Sequence, residues 1–411
     1  MAKWGAVMLW TIVNSVVWLS SLADSFFVTG IAAVTLIIHL LKLRTFVRPN
    51  AADVAAVSLV GLLFLPIFTG GPTGNIVHFI TAFATSLCVY FFLRITPLSL
   101  RNVQLLFTGI ALFALVLSST DLILLHSELS HLNVFSSTQM ASLHAYFPLL
   151  GGSTRNDGAM FLLALLPYAC GAIVLGRTAG DFGITGVGVG ATALVTMAIA
   201  ATFSRSIYLA TLIFAITIAI WVTTQKCSRR FVLLLSLGMA SACIVILLTF
   251  GLGTAAIETA RLSAAAYQQR STAGRIEIWR QRTESAWEHP LVGAGGGSDG
   301  LLALSAIKSA PDLPFTARAY NALLEIFLVS GLPGVFAYAT FLSYPFWLFL
   351  KRKLWNSRDQ FSSAAVILLA GLLATIARDM SYSSLVLHGA TIVLTWTTVG
   401  MIQNLLSQVR P

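Results

Sequence analysis

Charge is the scarcest feature of this 411-residue chain: 10% of it is Asp, Glu, Lys or Arg, against 57% hydrophobic residues. A soluble domain carries about 25% charged residues, so an ordinary soluble fold is excluded. Acids are scarcer than bases, 15 against 25, for a net charge of +10. At a mean hydropathy of +0.85, that excess is a membrane-topology signal and not a nucleic-acid one. There are only four cysteines and no Cys-x-x-Cys; Cys88, Cys170 and Cys243 sit in apolar stretches and Cys227 in a basic one. This excludes a disulfide framework and a thiolate metal site. His126, His131 and His144 lack metal-ligand spacing and an accompanying acidic cluster, so no metal site and no cofactor are expected. No Gly-Lys-Ser/Thr follows the glycine run at 293–297, so it is not a P-loop. A tight turn at Pro290, after a short helix, is the expected role of that stretch. Repeats, heptads and low-complexity tracts are missing too. Residues 1–23 have no small-residue cleavage site and lead directly into a second apolar run, so they are expected to form the first helix and not a signal peptide.

What the chain has in abundance is apolar windows of about 20 residues, the length that spans a bilayer as a helix. Twelve are expected, at 4–23, 25–41, 52–69, 76–93, 103–120, 158–176, 183–203, 206–224, 231–250, 332–350, 361–377 and 384–405. The fold class is therefore an all-α integral membrane protein, with residues 1–411 as a single membrane domain. Its alternate loops differ in charge. One set carries Lys3, Lys42, Arg44, Arg48, Arg94, Arg101, Arg177, Lys226, Arg229, Arg230, Lys351, Arg352, Lys353, Arg358 and Arg410. By the positive-inside rule that face is cytoplasmic, with both termini on it.

The other face has two long segments, at about 121–157 and 251–320, each expected to carry short helices lying on the bilayer. Its basic residues are nearly all arginine: Arg155, Arg205, Arg261, Arg270, Arg275, Arg280, Arg282, Arg318 and Arg378, with Lys308 alone as lysine. A guanidinium fork matches phosphate oxygens in pairs, whereas an ammonium is a point charge. Arginine held on this face, against the positive-inside trend, points to an anionic ligand.

Arg205 is the only charge in the short turn between two apolar runs, and reads as a snorkelling side chain or as an anion ligand. Arg275 opens an amphipathic block, 275–287. There Ile276, Trp279, Thr283 and Trp287 are expected to share one face, with Arg275, Arg282 and Glu284 directed away from it. Interfacial helix and phosphate site fit that block equally. Asn321 and Glu325 share a helix face at the top of an apolar run, where the carboxylate suits a base or a solvated helix end. Arg378-Asp379 reads as a structural ion pair or as a diphosphate-binding arginine held by its carboxylate.

Taken together, these residues resemble the bacterial O-antigen ligase and O-antigen polymerase superfamily. Ser204-Arg205 is similar to its "SR" or "TR" step. Gly274-Arg275, Trp279 and Pro290-Leu-Val-Gly-Ala-Gly resemble its large periplasmic loop. Asn321, nine residues, then Gly331-Leu332-Pro333-Gly334 fits the His-Asn, nine residues, Gly-x-x-Gly pattern of the ligases, and Glu325 stands where many members carry Glu. Arg378-Asp379 resembles the family's charged step near the last outer loop.

The resemblance implies a GT-C-like fold and an inner-membrane enzyme that moves a glycan from undecaprenyl diphosphate to lipid A–core. Arg205, Arg275 and Arg378 would grip the diphosphate, supported by Asp379, Arg155, Arg282 and Arg318. Glu325, Asn321 and the residue at position 320 would serve the acceptor. The alternative within the family is a polymerase joining carrier-linked repeats; a transporter is the reading from another class. One departure stands out: Tyr320 occupies the place of the family's His. A phenol, with an ordinary pKa of about 10, is a poor base at neutral pH.

Overall fold

The computed structural model describes residues 30–37, 48–68, 76–130, 155–202, 204–224, 272–293, 321–356, 359–380 and 389–409. Among them there are helices and no strands. In chain order the long helices are α1 (Ala51–Phe68), α2 (Ile76–Ile95), α3 (Leu100–Ser130), α4 (Arg155–Ala179), α5 (Phe182–Ala201), α6 (Arg205–Thr224), α7 (Thr272–Glu288), α8 (Ala322–Lys351), α9 (Gln360–Asp379) and α10 (Gly389–Gln408). Residues 30–37 are also helical.

Six helices among the described residues are long and apolar enough to cross a membrane, over Leu100–Ile123, Gly158–Ala179, Phe182–Ala201, Ser206–Thr224, Ala322–Lys351 and Gln360–Asp379. Two shorter apolar helices, Ala51–Leu63 and Ala82–Ile95, accompany them. Of the twelve expected spans, 4–23 and 231–250 lie outside the described residues, as does most of 25–41. One expected end is corrected. The run expected to stop at residue 120 continues as α3 to Ser130, so the segment at 121–157 opens with the end of this helix and not with a separate short one.

Helix packing depends on small residues at the contacts, which let backbones approach without a hydrophobic driving force from water. A side chain on Gly188 of α5 would meet the backbone of Ile173 at 2.7 Å and of Ala169 at 2.9 Å on α4. One on Gly371 of α9 would overlap Pro167 of α4. Aromatic edges fill the wider gaps: Phe107 against Tyr168 at 5.3 Å, Phe113 against Phe161 at 6.2 Å, and Phe341 against Trp396 at 4.4 Å between centroids. Helices α4, α9 and α10 form the buried middle, and α3, α5 and α6 lie outside with Leu112, Met197 and Leu209 open.

The bundle has a polar end built by helix termini. Asn50 caps α1: its carboxamide accepts from Asp53 N, and its own N–H donates to the Asp53 carboxylate. The Tyr90 hydroxyl of α2 donates to Asp53 at 2.6 Å, Asn50 Nδ2 donates to Gln403 of α10, and Arg94 lies 3.8 Å from Asp53. Asn404 of α10 donates to the carbonyls of Leu93 and Thr96, and the Arg352 guanidinium donates to the Leu406 carbonyl. These bonds satisfy backbone groups that helix ends leave without partners. The antiparallel pairing of α3 with α4, read from Phe107–Tyr168 and Phe113–Phe161, carries Arg101 and Arg177 to the same end. The starts of α4, α6 and α8 and the last turn of α9 therefore stand at the opposite end.

Candidate functional site

At that opposite end, α8 is two helices in one. Gly331 has φ 66° and ψ −170°, a conformation essentially restricted to glycine. It breaks the path after the two-turn stretch 322–330, and the expected span, 332–350, begins directly beyond the break. Asn321 caps the short stretch, accepting from Leu324 N at 3.2 Å, and its Nδ2 donates to the Met380 carbonyl at 3.2 Å. Farther along α8, the buried Tyr338 hydroxyl faces the Asp379 carboxylate. Seventeen residues of straight helix between Asn321 and Tyr338 would cover about 25 Å. Yet the two side chains meet consecutive residues, Asp379 and Met380. The stretch 322–330 must therefore lie across the end of α9 and not continue the axis of the span.

The Asn-x9-Gly-x-x-Gly spacing thus has a physical content. Asn supplies the cap, nine residues make the short helix, and the first Gly makes the bend. The second, Gly334, leaves room for the Ser330 side chain, whose hydroxyl donates back to the Ile326 carbonyl.

Glu325 sits in the first turn of this stretch and is 1% exposed; Arg378 and Asp379, in the last turn of α9, are 1% and 0% exposed. The solvated helix-end reading of Glu325 is corrected by its burial. Ionised groups are costly to bury without partners, and all three side chains have interaction partners in the structure.

Helix α7 leans on the same short helix. Ala286 is fully buried against Phe327 and Leu328, Trp287 meets Phe327 edge-on at 5.4 Å, and Trp279, Arg282 and Thr283 are half-buried. Ile276 and Trp287 are 57% and 58% exposed. On the expected apolar face Ile276 and Trp287 thus stay open, while Trp279 and Thr283 are half-buried. Ala286 marks the packed side; at 100° per residue Trp279 and Arg282 lie within about 40° of it and Ile276 and Trp287 about 80° or more away, so Arg282 lies toward the protein, half-buried. On the open side Arg280 pairs with Glu284 at 2.7 Å, an exposed pair of little consequence. The turn at Pro290 is present as expected, and it ends on Gly293 with φ 76°.

Arg205 is the first residue of α6. The turn before it is fixed by the Tyr208 hydroxyl donating to the Ala200 carbonyl, by Tyr208 N donating to the Ser204 carbonyl, and by Thr202 donating to the Ile199 carbonyl. Arg155 is the first residue of α4, and Arg275 stands in the first turn of α7. The side chains of Arg155, Arg205 and Arg275, and the whole of Arg318 and Tyr320, lie outside the described residues. The structure thus brings Asn321, Glu325, Arg378 and Asp379 to one end of the bundle, with the backbone starts of α4 and α6 at that end and α7 packed on the short helix. Sequence reasoning missed Tyr338 beside Asp379 and a fourth buried acid, Asp121 of α3. Asp121 was detectable as a lone carboxylate at the end of an apolar run; Tyr338 carried no signal.

No curated protein matches the chain. Residues 190–339, which include Arg205, Arg275, Asn321, Glu325 and Gly331 but not Arg378, match the family model described as O-antigen ligase, which supports the resemblance to the O-antigen ligase and polymerase superfamily.

Proposed function

We propose that this protein is an inner-membrane glycosyltransferase that moves a glycan en bloc from undecaprenyl diphosphate to a lipid A–core acceptor on the periplasmic face. The observation that carries the reading is a buried Glu325, Arg378 and Asp379 at the arginine-bearing end of the bundle, in a chain whose residues 190–339 match the O-antigen ligase family. Arg205, Arg275 and Arg378 bind the donor diphosphate, with Arg155, Arg282 and Arg318 adding positive potential and Asp379 orienting Arg378. As the bond from the anomeric carbon to the diphosphate oxygen breaks, its electron pair passes to the diphosphate. Fixed guanidinium groups in a poorly hydrated site stabilise that charge.

The acceptor hydroxyl attacks from the opposite side, so configuration inverts. Its proton passes to Glu325, which takes the part of the base that Tyr320 is ill suited to play; Asn321 fixes the helix that carries it. Undecaprenyl diphosphate leaves. Arginine supplies the neutralisation that a metal gives in other glycosyl transfers, in keeping with a sequence that has no Asp-x-Asp pair.

The second reading, a polymerase that joins carrier-linked repeats, differs only in the acceptor. Purified protein mixed with carrier-linked glycan and either lipid A–core or further carrier-linked glycan separates the two by product. Glycan on lipid A–core is expected; lengthened carrier-linked chains would favour the polymerase, and no transfer to either would sink both. Arg205→Ala and Arg275→Ala are expected to abolish transfer while leaving expression and carrier export unchanged, an outcome a transporter would not give.

A further inference from the structure

Three glycines among the described residues have positive φ: Gly180, Gly293 and Gly331. A side chain on Gly180 would meet nothing within 4 Å, but each of the other two faces the backbone of the residues just before its counterpart. A Cβ on Gly293 would lie 2.4 Å from the carbonyl of Val329 and 2.5 Å from Ser330 N. One on Gly331 would lie 2.7 Å from the carbonyl oxygen of Pro290 and from the carbonyl carbon of Leu291. Between them Leu332 N donates to the Pro290 carbonyl at 2.8 Å, and Gly293 N donates to His289 at 2.8 Å. The turn that ends α7 is thus seated, backbone on backbone, in the bend that begins the span of α8.

Gly171 meets the Phe107 ring, a side chain that can adjust, and Gly176, Gly188 and Gly400 meet backbone but have no positive φ; Gly293 and Gly331 combine a positive φ with a backbone neighbour, which cannot adjust. We propose that Gly293 and Gly331 are the two halves of one joint, and that they act as positioning residues for the transfer reaction by fixing α7 and the stretch 322–330 as a single rigid corner. The inference rests on the glycosyltransferase reading above.

The corner connects two parts of the proposed site. Helix α7, which carries Arg275 and Arg282, is held by Ala286 against Phe327 and Leu328. Along 322–330, the helix carries Glu325 and is tied by Asn321 to the end of α9. Position 275 lies thirteen residues, about 20 Å of helix, from the joint end of α7. A small tilt at the joint becomes a larger displacement of Arg275. A misplacement of about 1 Å costs an enzyme up to about a hundredfold in rate. In the proposed reaction Arg275 acts mainly on charge that builds as the bond to the diphosphate breaks, an interaction made in the transition state, so the defect falls mainly on kcat.

The test is steady-state transfer by the full-length protein with carrier-linked glycan. Gly293→Ala and Gly331→Ala are each expected to lower kcat by about tenfold or more with KM within about threefold. The double variant is expected to be no worse than the worse single, because one joint is broken only once. Gly180→Ala, equally left-handed but open, is expected to keep wild-type kcat. Wild-type kcat in either single, losses that multiply in the double, or an equal loss in Gly180→Ala would overturn the proposal.

Should the alanine variants fail to accumulate, Trp287→Ala loosens the same corner without a backbone clash. It is expected to lose about three- to tenfold in kcat, and an unchanged kcat would count against the joint. If the wild-type protein transfers nothing, the reaction is wrong and the joint is judged alone. Spin labels at Glu284→Cys and Phe336→Cys, with the four native cysteines replaced by serine, should give one narrow distance that broadens or shifts in Gly293→Ala. The same distance in both would refute it.

Discussion

At the residue scale, Asn321 does two jobs with one carboxamide: its oxygen caps the short helix and its nitrogen holds the Met380 carbonyl. The two separate by substitution. Asn321→Asp keeps the acceptor and loses the donor, whereas Asn321→Ala loses both, the cap alone being worth about 1 kcal/mol. Thermal melting in detergent should rank wild type above Asp and Asp above Ala; an alanine variant as stable as wild type would mean that the cap is not holding this helix. The arginines separate by geometry. Arg275→Lys keeps the charge and forfeits the paired contact with phosphate, so most of the transfer rate should go; a wild-type rate would show that position 275 acts only as a charge. Tyr320→His, which restores the family residue, is expected to keep or raise activity, and complete loss would show that the tyrosine has a task of its own. The Asn321–Gly331–Gly334 spacing was legible as a pattern, but its meaning was not. Nothing in the residue string says that Glu325 is buried, because burial is set by what packs on it in three dimensions and not by its neighbours in sequence.

At the scale of elements, the spans were legible because lipid demands long apolar helices and tolerates little else. The bend at Gly331 was legible in outline too, since glycine followed two residues later by proline is a helix-stop signal. The packed face of α7 was not. Periodicity grouped Ile276 and Trp287 on one apolar face without saying what that face meets, while the position that is buried is the small Ala286. Close helix approach favours small residues, and a helix resting on a membrane turns its large apolar residues to lipid. Trp287, Leu291 at 69% exposure and Val292 at 46% form such an open apolar edge. It lies at the bend where α8 enters its apolar span, one turn above Phe336, which is 70% exposed. That edge is expected to dip into the outer leaflet. Brominated lipid should quench fluorescence less in Trp287→Phe than in wild type; equal quenching would place this tryptophan in water.

For the whole molecule, the charge asymmetry read from the loops maps onto the two ends of the bundle. The end with Arg94, Arg101, Arg177 and Arg352 is built of helix termini bonded to one another through Asp53, Tyr90, Gln403 and Asn404. The other end carries Asn321, Glu325, Arg378 and Asp379 and the docked α7. Hydrogen-bonded helix termini at one end and a cluster of buried charge at the other, among the described residues, fit the proposed enzyme that works on one face. The proposed orientation rests on the positive-inside rule, and the proposed chemistry depends on it, because in that reading the glycan donor and lipid A–core meet on the periplasmic side. With native cysteines replaced by serine, Glu284→Cys on the open face of α7 should react with a membrane-impermeant maleimide in spheroplasts. Gly180→Cys, in the exposed α4–α5 turn at the basic end, should react only after lysis. The reverse pattern would put the arginines in the cytoplasm, away from any exported glycan, and the ligase and polymerase readings would fall together.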